Sequence, residues 1–293
     1  METYEIKSEV IAPGKHIHAN ATESTEKRLL DHEYVEAKYK DDKTETIVLI
    51  HGFGGNHRIW KHQMEIFSRY YNVLSIDLPS HNDGNIKLSE MEVSLKAVCD
   101  RIIEVVDSYN IYHALFMGVS LGTIFVKCLE VYYPSYVDLG VLVGTMATVN
   151  IILRSCVEVF SKIGDKLPFN TVYYIFSKII MPRPDSKKSR EIFRQCAKAL
   201  NQKEFKLYMK LFKQAFRFND KFKNTIHKEN IYITGADDIC FKHGVFKEVL
   251  DTHGRLMVFE HCGHVCNIDK KEKFNYIIGR MLKHRMDSQR VFS

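Results

Sequence analysis

A serine, an aspartate and a histidine stand in this chain where they could act together as Ser120, Asp238 and His264. A serine hydroxyl is a poor nucleophile at neutral pH. It needs a base within hydrogen-bond reach, and the base needs a group that holds its tautomer and stabilises the imidazolium. Such a set would attack an acyl carbon and pass through an acyl-enzyme. The serine lies in Gly118-Val119-Ser120-Leu121-Gly122. Glycines two before and two after a serine mark a sharp strand-to-helix turn, because a Cβ at either place would collide with its neighbours. A helix N-cap serine after a glycine-rich turn is the functionless reading of the same five residues.

The elements that must position these groups can be read around them. Residues 113–117 are mostly apolar and predict a short buried strand before the serine, and residues 123–132 carry apolar side chains at helical spacing after it. Thr46-Ile47-Val48-Leu49-Ile50 predicts a strand buried on both faces. It runs into His51-Gly52-Phe53-Gly54-Gly55-Asn56, whose glycines let backbone N–H groups turn towards a ligand. Residues 71–76, 137–143, 231–234 and 255–260 predict further strands, and residues 34–39 an edge strand. Residues 60–70, 88–109, 242–252 and 270–284 predict helices. Tyr4 to Ile11 could add a strand at the start. The alternation implies an α/β fold, a mostly parallel, eight-strand-type sheet with helices on both faces. Ser120, Asp238 and His264 each fall just past the carboxyl end of a predicted strand, where open parallel sheets bind ligands.

The alternation stops between residues 146 and 228, which read as successive aromatic and basic helices broken by Pro168, Pro182 and Pro184. The expected organisation is a core in two parts, residues 1–145 and 229–293, with a helical cap at 146–228 inserted between late strands. Residues 151–228 hold 18 Lys/Arg against 6 Asp/Glu, a net +12, while the whole chain carries only +6. Three readings fit this segment: a solvated helical surface, attraction of an anionic substrate, or loose docking on an acidic membrane aided by residues such as Phe169 and Tyr173.

These motifs, in this order and each after a strand, resemble the α/β-hydrolase superfamily of cap-bearing serine hydrolases, which includes esterases and lactonases. The resemblance runs from about residue 45 to 280, the cap matching only as a kind of element. It implies Ser120 as nucleophile, His264 as base and Asp238, fourth in Gly235-Ala236-Asp237-Asp238, as acid. It also implies an oxyanion hole formed by the backbone N–H groups of Phe53 and Leu121. Asp237 is the competing carboxylate, and the Gly-x-x-Asp spacing favours Asp238. Gly144-Thr145-Met146-Ala147 has no carboxylate, which removes the placement some relatives use. Two departures stand out: Thr123 where the superfamily has a small residue, and Pro79-Ser80-His81-Asn82 where it has Pro-Gly-x-Gly.

The expected activity is hydrolysis of a carboxylic ester or lactone with no metal and no organic cofactor. Thioester, amide or C–C bond hydrolysis, and a non-catalytic ligand-binding receptor, are the alternatives. His261-Cys262-Gly263-His264-Val265-Cys266 looks superficially like a metal cluster but lacks a second ligand group, so both cysteines read as buried packing. His51 and His81 read as loop-bracing histidines. Tyr173, Tyr174, Phe205 and Phe212 are candidates for the substrate pocket, against core packing as the commoner role of helical aromatics. Seven cysteines, an odd number, suggest free thiols in a reducing compartment, and the absence of a basic-then-apolar leader and of a long apolar run points to a cytoplasmic protein without a transmembrane segment. The expected partner is a small acyl substrate, apolar and, if the basic cap steers it, anionic. No motif supports nucleic-acid binding.

Overall fold

The computed structural model describes residues 28–82, 86–147, 151–163, 166–225 and 230–291. Seven strands form one sheet among these residues: β1 His32–Val35, β2 Thr46–Ile50, β3 Asn72–Ile76, β4 Ala114–Val119, β5 Val137–Val143, β6 Ile231–Gly235 and β7 Arg255–Phe259. Their order is β1-β3-β2-β4-β5-β6-β7, and only β1, at the edge, runs antiparallel to its neighbour. The eight-strand-type expectation is met by these seven, and the candidate strand at Tyr4 to Ile11 lies outside the described residues. β2, β3, β4 and β6 are buried along their whole length, as continuous runs of Val, Ile, Leu and Phe require when helices cover both faces. The chain steps from β2 outwards to β3 and then returns to place β4 on the other side of β2. The carboxyl ends of β2 and β4 therefore flank the point where strand order reverses, the crevice in which such sheets bind ligands.

Helices α1 Lys61–Phe67, α2 Leu95–Ser108, α3 Leu121–Tyr132, α8 Lys242–Thr252, α9 Cys266–Asp269 and α10 Lys271–Val291 belong to the sheet. One boundary differs from the sequence expectation. The helix predicted from Leu88 begins at Leu95, because the Ser94 hydroxyl accepts a hydrogen bond from the Ala97 N–H and caps it there. Leu88–Glu90 is a separate short turn whose buried Leu88 happens to continue the apolar spacing.

Between β5 and β6 come α4 Ile151–Ile163, α5 Phe169–Ile180, α6 Lys187–Cys196 and α7 Gln202–Thr225. Polar links tie this insertion to the loops and helices of the core. Gln214 of α7 accepts from the Leu95 N–H and donates to the Val93 carbonyl, 3.2 and 2.8 Å away. Tyr208 donates to the Pro79 carbonyl at 2.6 Å, and Ser80 donates to the buried Glu204 carboxylate. Phe53 sits at the centre of an aromatic cluster, its ring centroid 5.2–5.8 Å from those of Phe176, Phe205, Tyr208 and Phe212. No described helix is long and apolar enough to cross a membrane.

Candidate active site

The turn at Ser120 takes its shape from its neighbours. Ser120 has φ 53° and ψ −115°, a conformation that costs an L-residue roughly 1–3 kcal/mol. Its N–H donates to the Val143 carbonyl at 2.8 Å, which anchors the strained residue to β5. The two flanking glycines are sterically required. A Cβ on Gly118 would stand 2.5 Å from the Gly122 carbonyl carbon, and one on Gly122 would stand 2.2 Å from the Ile50 carbonyl oxygen. The helix can thus leave β4 while pressing against the end of β2.

Ser120 Oγ lies 2.8 Å from His264 Nε2, and His264 Nδ1 lies 2.8 Å from Asp238 Oδ2. A carboxylate only accepts, so Nδ1 carries the proton and donates to it, leaving Nε2 to accept from the serine hydroxyl. Asp238 and His264 are both buried. The other carboxylate oxygen, Asp238 Oδ1, accepts from the Phe241 N–H at 3.2 Å. The Phe241 ring lies nearly parallel to the imidazole, 4.5 Å between centroids and 27° between planes. Gly144, at φ 55°, lets the end of β5 approach the histidine: a Cβ there would fall 2.4 Å from the His264 carbonyl oxygen and 3.0 Å from Nδ1. The imidazole is therefore held by a carboxylate at one nitrogen and by a ring on one face.

The structure separates the two neighbouring aspartates. Asp237 turns away from His264 and pairs with Arg183 in the connection between α5 and α6. Arg183 also reaches Asp185 at 2.6 Å.

The turn after β2 lies against the serine. A Cβ on Gly52 would sit 3.1 Å from Ser120 Cβ, so Phe53 follows directly beside the hydroxyl. Leu121 is the first residue of α3, and its N–H is one of the four that a helix start leaves without an internal partner. Histidines brace the 51–55 turn. His81 Nε2 accepts from the Gly54 N–H at 3.0 Å while its Nδ1 donates to the Pro79 carbonyl at 3.0 Å. His51 Nε2 accepts from the Leu78 N–H at 2.9 Å while its Nδ1 donates to the Gly52 carbonyl at 2.8 Å. Each ring needs one bare nitrogen, and burial in turn pushes the His81 pKa down to about 3 and lowers that of His51. Asp77 beneath them receives the His57 backbone and ring N–H groups, at 2.5 and 2.8 Å. Burial opposes its charge, but those bonds and the two nearby histidines leave its carboxyl below the usual carboxylate range.

Ser120 and His264 open onto a cavity of about 30 Å³, room for no more than a few waters. Its walls are mostly apolar: Phe53, Phe241 and Val265 from the core, and Met146, Tyr173, Phe176, Ile180, Phe193 and Phe212 from the insertion. Of the four pocket candidates named from sequence, Tyr173 and Phe212 line it. Phe205 is buried in the aromatic cluster behind, and Tyr174 faces solvent with an Arg194 guanidinium over its ring.

Sequence reasoning missed two contributors. Thr123, noted only as a departure, donates from its hydroxyl to the Ser120 carbonyl at 2.6 Å and accepts from the Met146 N–H at 3.4 Å, so it joins the serine turn to the cavity wall. Lys127, one helical turn on and fully buried, donates to the Met146 carbonyl at 3.3 Å and to both oxygens of Glu248 at 3.1 Å. A lysine among the apolar residues of α3, four residues from Thr123, was the signal available.

The sequence profile of the alpha/beta hydrolase family matches residues 47–275. A curated (E)-2-((N-methylformamido)methylene)succinate hydrolase from Acinetobacter baylyi is 30% identical over 112 residues, which are 38% of this chain. The chain spans only 40% of that relative's length. Among solved structures, an esterase from Exiguobacterium antarcticum superposes with a TM-score of 0.73 at 15% identity, covering 86% of this chain and 94% of that one. An enol-lactonase from Burkholderia xenovorans LB400 superposes with a TM-score of 0.71 at 15% identity, covering 87% and 96%. At such identities the two structures speak for the fold alone.

Proposed function

The chain belongs to the alpha/beta hydrolase family, and on that premise we propose that it is a serine hydrolase cleaving esters or lactones of small apolar acyl groups. The observation that carries this is the hydrogen-bonded run from Ser120 through His264 to Asp238, set on a strained turn and facing an apolar cavity. Ser120 Oγ attacks the acyl carbon as His264 Nε2 takes its proton, and Asp238 steadies the imidazolium. The N–H groups of Phe53 and Leu121 receive the oxyanion, each such donor worth about 10²–10³ in rate. His264 then returns the proton to the departing alkoxide, and the acyl-enzyme remains. Water, deprotonated by the same nitrogen, releases the acid and restores the serine.

The insertion acts as the cap, residues 146–228 closing over the serine and supplying most of the acyl wall. Its aromatic and aliphatic lining suits an uncharged acyl group better than the dicarboxylate described by the Acinetobacter relative's name. A cytoplasmic location fits Cys99, Cys128, Cys240, Cys262 and Cys266, which among the described residues are buried cysteines outside any disulfide.

The test is hydrolysis of p-nitrophenyl esters from acetate to laurate, with Ser120→Ala as control, beside labelling with a fluorophosphonate. Turnover and labelling that both vanish in the variant support the reading, and the preferred chain length sizes the cavity. Labelling of Ser120 without ester turnover would move the substrate to a thioester, amide or C–C bond. Failure to label at all would overturn catalysis by this serine.

A further inference from the structure

The described residues form a second cavity, larger than the one at Ser120. A cleft of about 670 Å³ runs between the start of α1, the solvent face of α6 and the junction of α9 with α10. That volume is in the range of sites for nucleotide-sized ligands. Its walls carry five permanent cations: Arg58 and Lys61 from the β2–α1 region, Lys188 and Lys198 from α6 and its end, and Lys271 at the start of α10. Three stretches far apart in sequence thus bring their positive charges to one concavity. Glu191 is the single carboxylate in its lining among the described residues. Its two oxygens are engaged by Arg194 at 3.0 Å and Gln195 at 2.7 Å. Arg58, Lys61, Lys188 and Lys198 have no carboxylate within ion-pair reach among the described residues, and Lys271 lies 3.7 Å from the exposed Glu272 and 3.4 Å from His62 Nε2.

Cations gathered in a concavity repel one another and focus a positive potential that water and salt only partly screen. A single small anion could meet one or two of them. Their spread around the cleft calls for a ligand bearing at least two negative groups. Beneath them lies an apolar floor of Ile59, Ile192, Ala199 and Ile268, which a small inorganic ion would leave uncovered and a flat organic group would bury. We propose that this cleft binds a soluble organic phosphate of nucleotide size, its phosphates against the lysines and its organic part on the isoleucine floor. The proposal rests on the cleft alone and is independent of catalysis at Ser120.

The experiment is a fluorescence titration of the full chain with trinitrophenyl-ATP, with ADP and inorganic pyrophosphate as competitors. Saturable binding of one probe per chain, displaced by both competitors and weakened by added salt, is the expected result. The double charge reversal Lys61→Glu/Lys188→Glu should weaken it by about tenfold or more, the scale of losing two charge-assisted contacts. Lys247→Glu, an exposed reversal on α8, should leave it unchanged, and all variants should keep the wild-type thermal midpoint. Trinitrophenyl-adenosine, which lacks the phosphates, separates adhesion of the dye from recognition of the anion. Equal binding of that probe, an unaffected double variant, or no saturation below about 1 mM, the weak limit for a specific site, would each overturn the proposal. So would binding to phosphatidylglycerol vesicles without displacement by ADP, which would make the cleft a membrane-facing patch. Fluorophosphonate labelling of Ser120 in the same samples reports on the hydrolase reading separately.

Discussion

The Tyr173 hydroxyl donates to the Phe53 carbonyl at 3.0 Å, so the α5 helix of the insertion hangs directly on the turn that lies beside Ser120. The contact is buried on both sides, and Gly54, next in chain, has the φ of 75° that brings the tyrosine so close: a Cβ there would overlap the Tyr173 oxygen at 2.0 Å. Burial pushes the Tyr173 phenol well above its ordinary value, so it stays a donor at any working pH.

Tyr173→Phe should therefore cost about 1 kcal/mol of stability, the net worth of one hydrogen bond, together with the penalty of an unpaired carbonyl. Gly54→Ala should cost several times more, because strain and overlap add. Thermal or urea unfolding of the two variants would check the order. A Gly54→Ala protein as stable as Tyr173→Phe would contradict the close approach.

The two adjacent aspartates should behave differently. Asp238→Asn should lower kcat on the best ester by about 10³–10⁴-fold, since an amide cannot hold the productive tautomer of His264. Asp237→Asn should leave kcat within a few-fold, because Asp237 pairs with Arg183 while His264 Nδ1 is held by Asp238. Steady-state kinetics of both variants decides the assignment, and the reverse result would give the acid role to Asp237.

The Lys127–Glu248 pair has no exposed surface on either side chain. Lys127→Met alone should destabilise the protein by about 3–5 kcal/mol, since it strands a buried carboxylate. Lys127→Met/Glu248→Leu should recover most of that loss. Urea unfolding is the measurement, and a double variant no better than the single would mean that the pair is not a closed unit. Because Lys127 also holds the Met146 carbonyl, the double variant should still show an altered chain-length preference.

His81 makes a specific prediction about acid. Its folded pKa of about 3 lies below the ordinary 6.5 because the ring is buried and shares its space with His51. The unfolded chain therefore takes up a proton that the folded chain refuses. The resulting stability is fully present above pH 6.5 and is lost as pH falls towards 3, at up to about 1.4 kcal/mol per unit. His51, also lowered, adds to the same slope. The thermal midpoint should fall across that window, and His81→Gln should flatten the fall by about one proton's worth while lowering the midpoint at pH 7. An equally steep profile in the variant would refute the role.

Local backbone constraints were the legible part of this protein. Gly118 and Gly122 mark a turn because the clash they avoid lies a few residues away or on the adjacent strand, and the same is true of Gly52 and Gly55, whereas Gly54 makes room for Tyr173 of the insertion. The strands followed from apolar runs that helices cover on both faces. What sequence spacing did not reveal were contacts made across long separations by side chains. Arg183 meets Asp237 from 54 positions away, and nothing in the order of residues joins them. Thr123 could be seen only as a departure from a pattern, because its value lies in reaching Met146 on another strand end. The start of α2 was misplaced for a related reason: the spacing of Leu88 and Leu95 is indifferent to the cap at Ser94 that divides them.

The 30 Å³ beside Ser120 holds no more than a few waters, so under the proposed reaction a long acyl chain would have to displace aromatic side chains before chemistry could start. Turnover would then run on two clocks, one for bond making and one for the friction of side chains moving aside in solvent. Esters with good leaving groups would expose the second clock. Their rates should fall in viscous glycerol or sucrose solutions, while slow amides, limited by the bond itself, should be indifferent to viscosity.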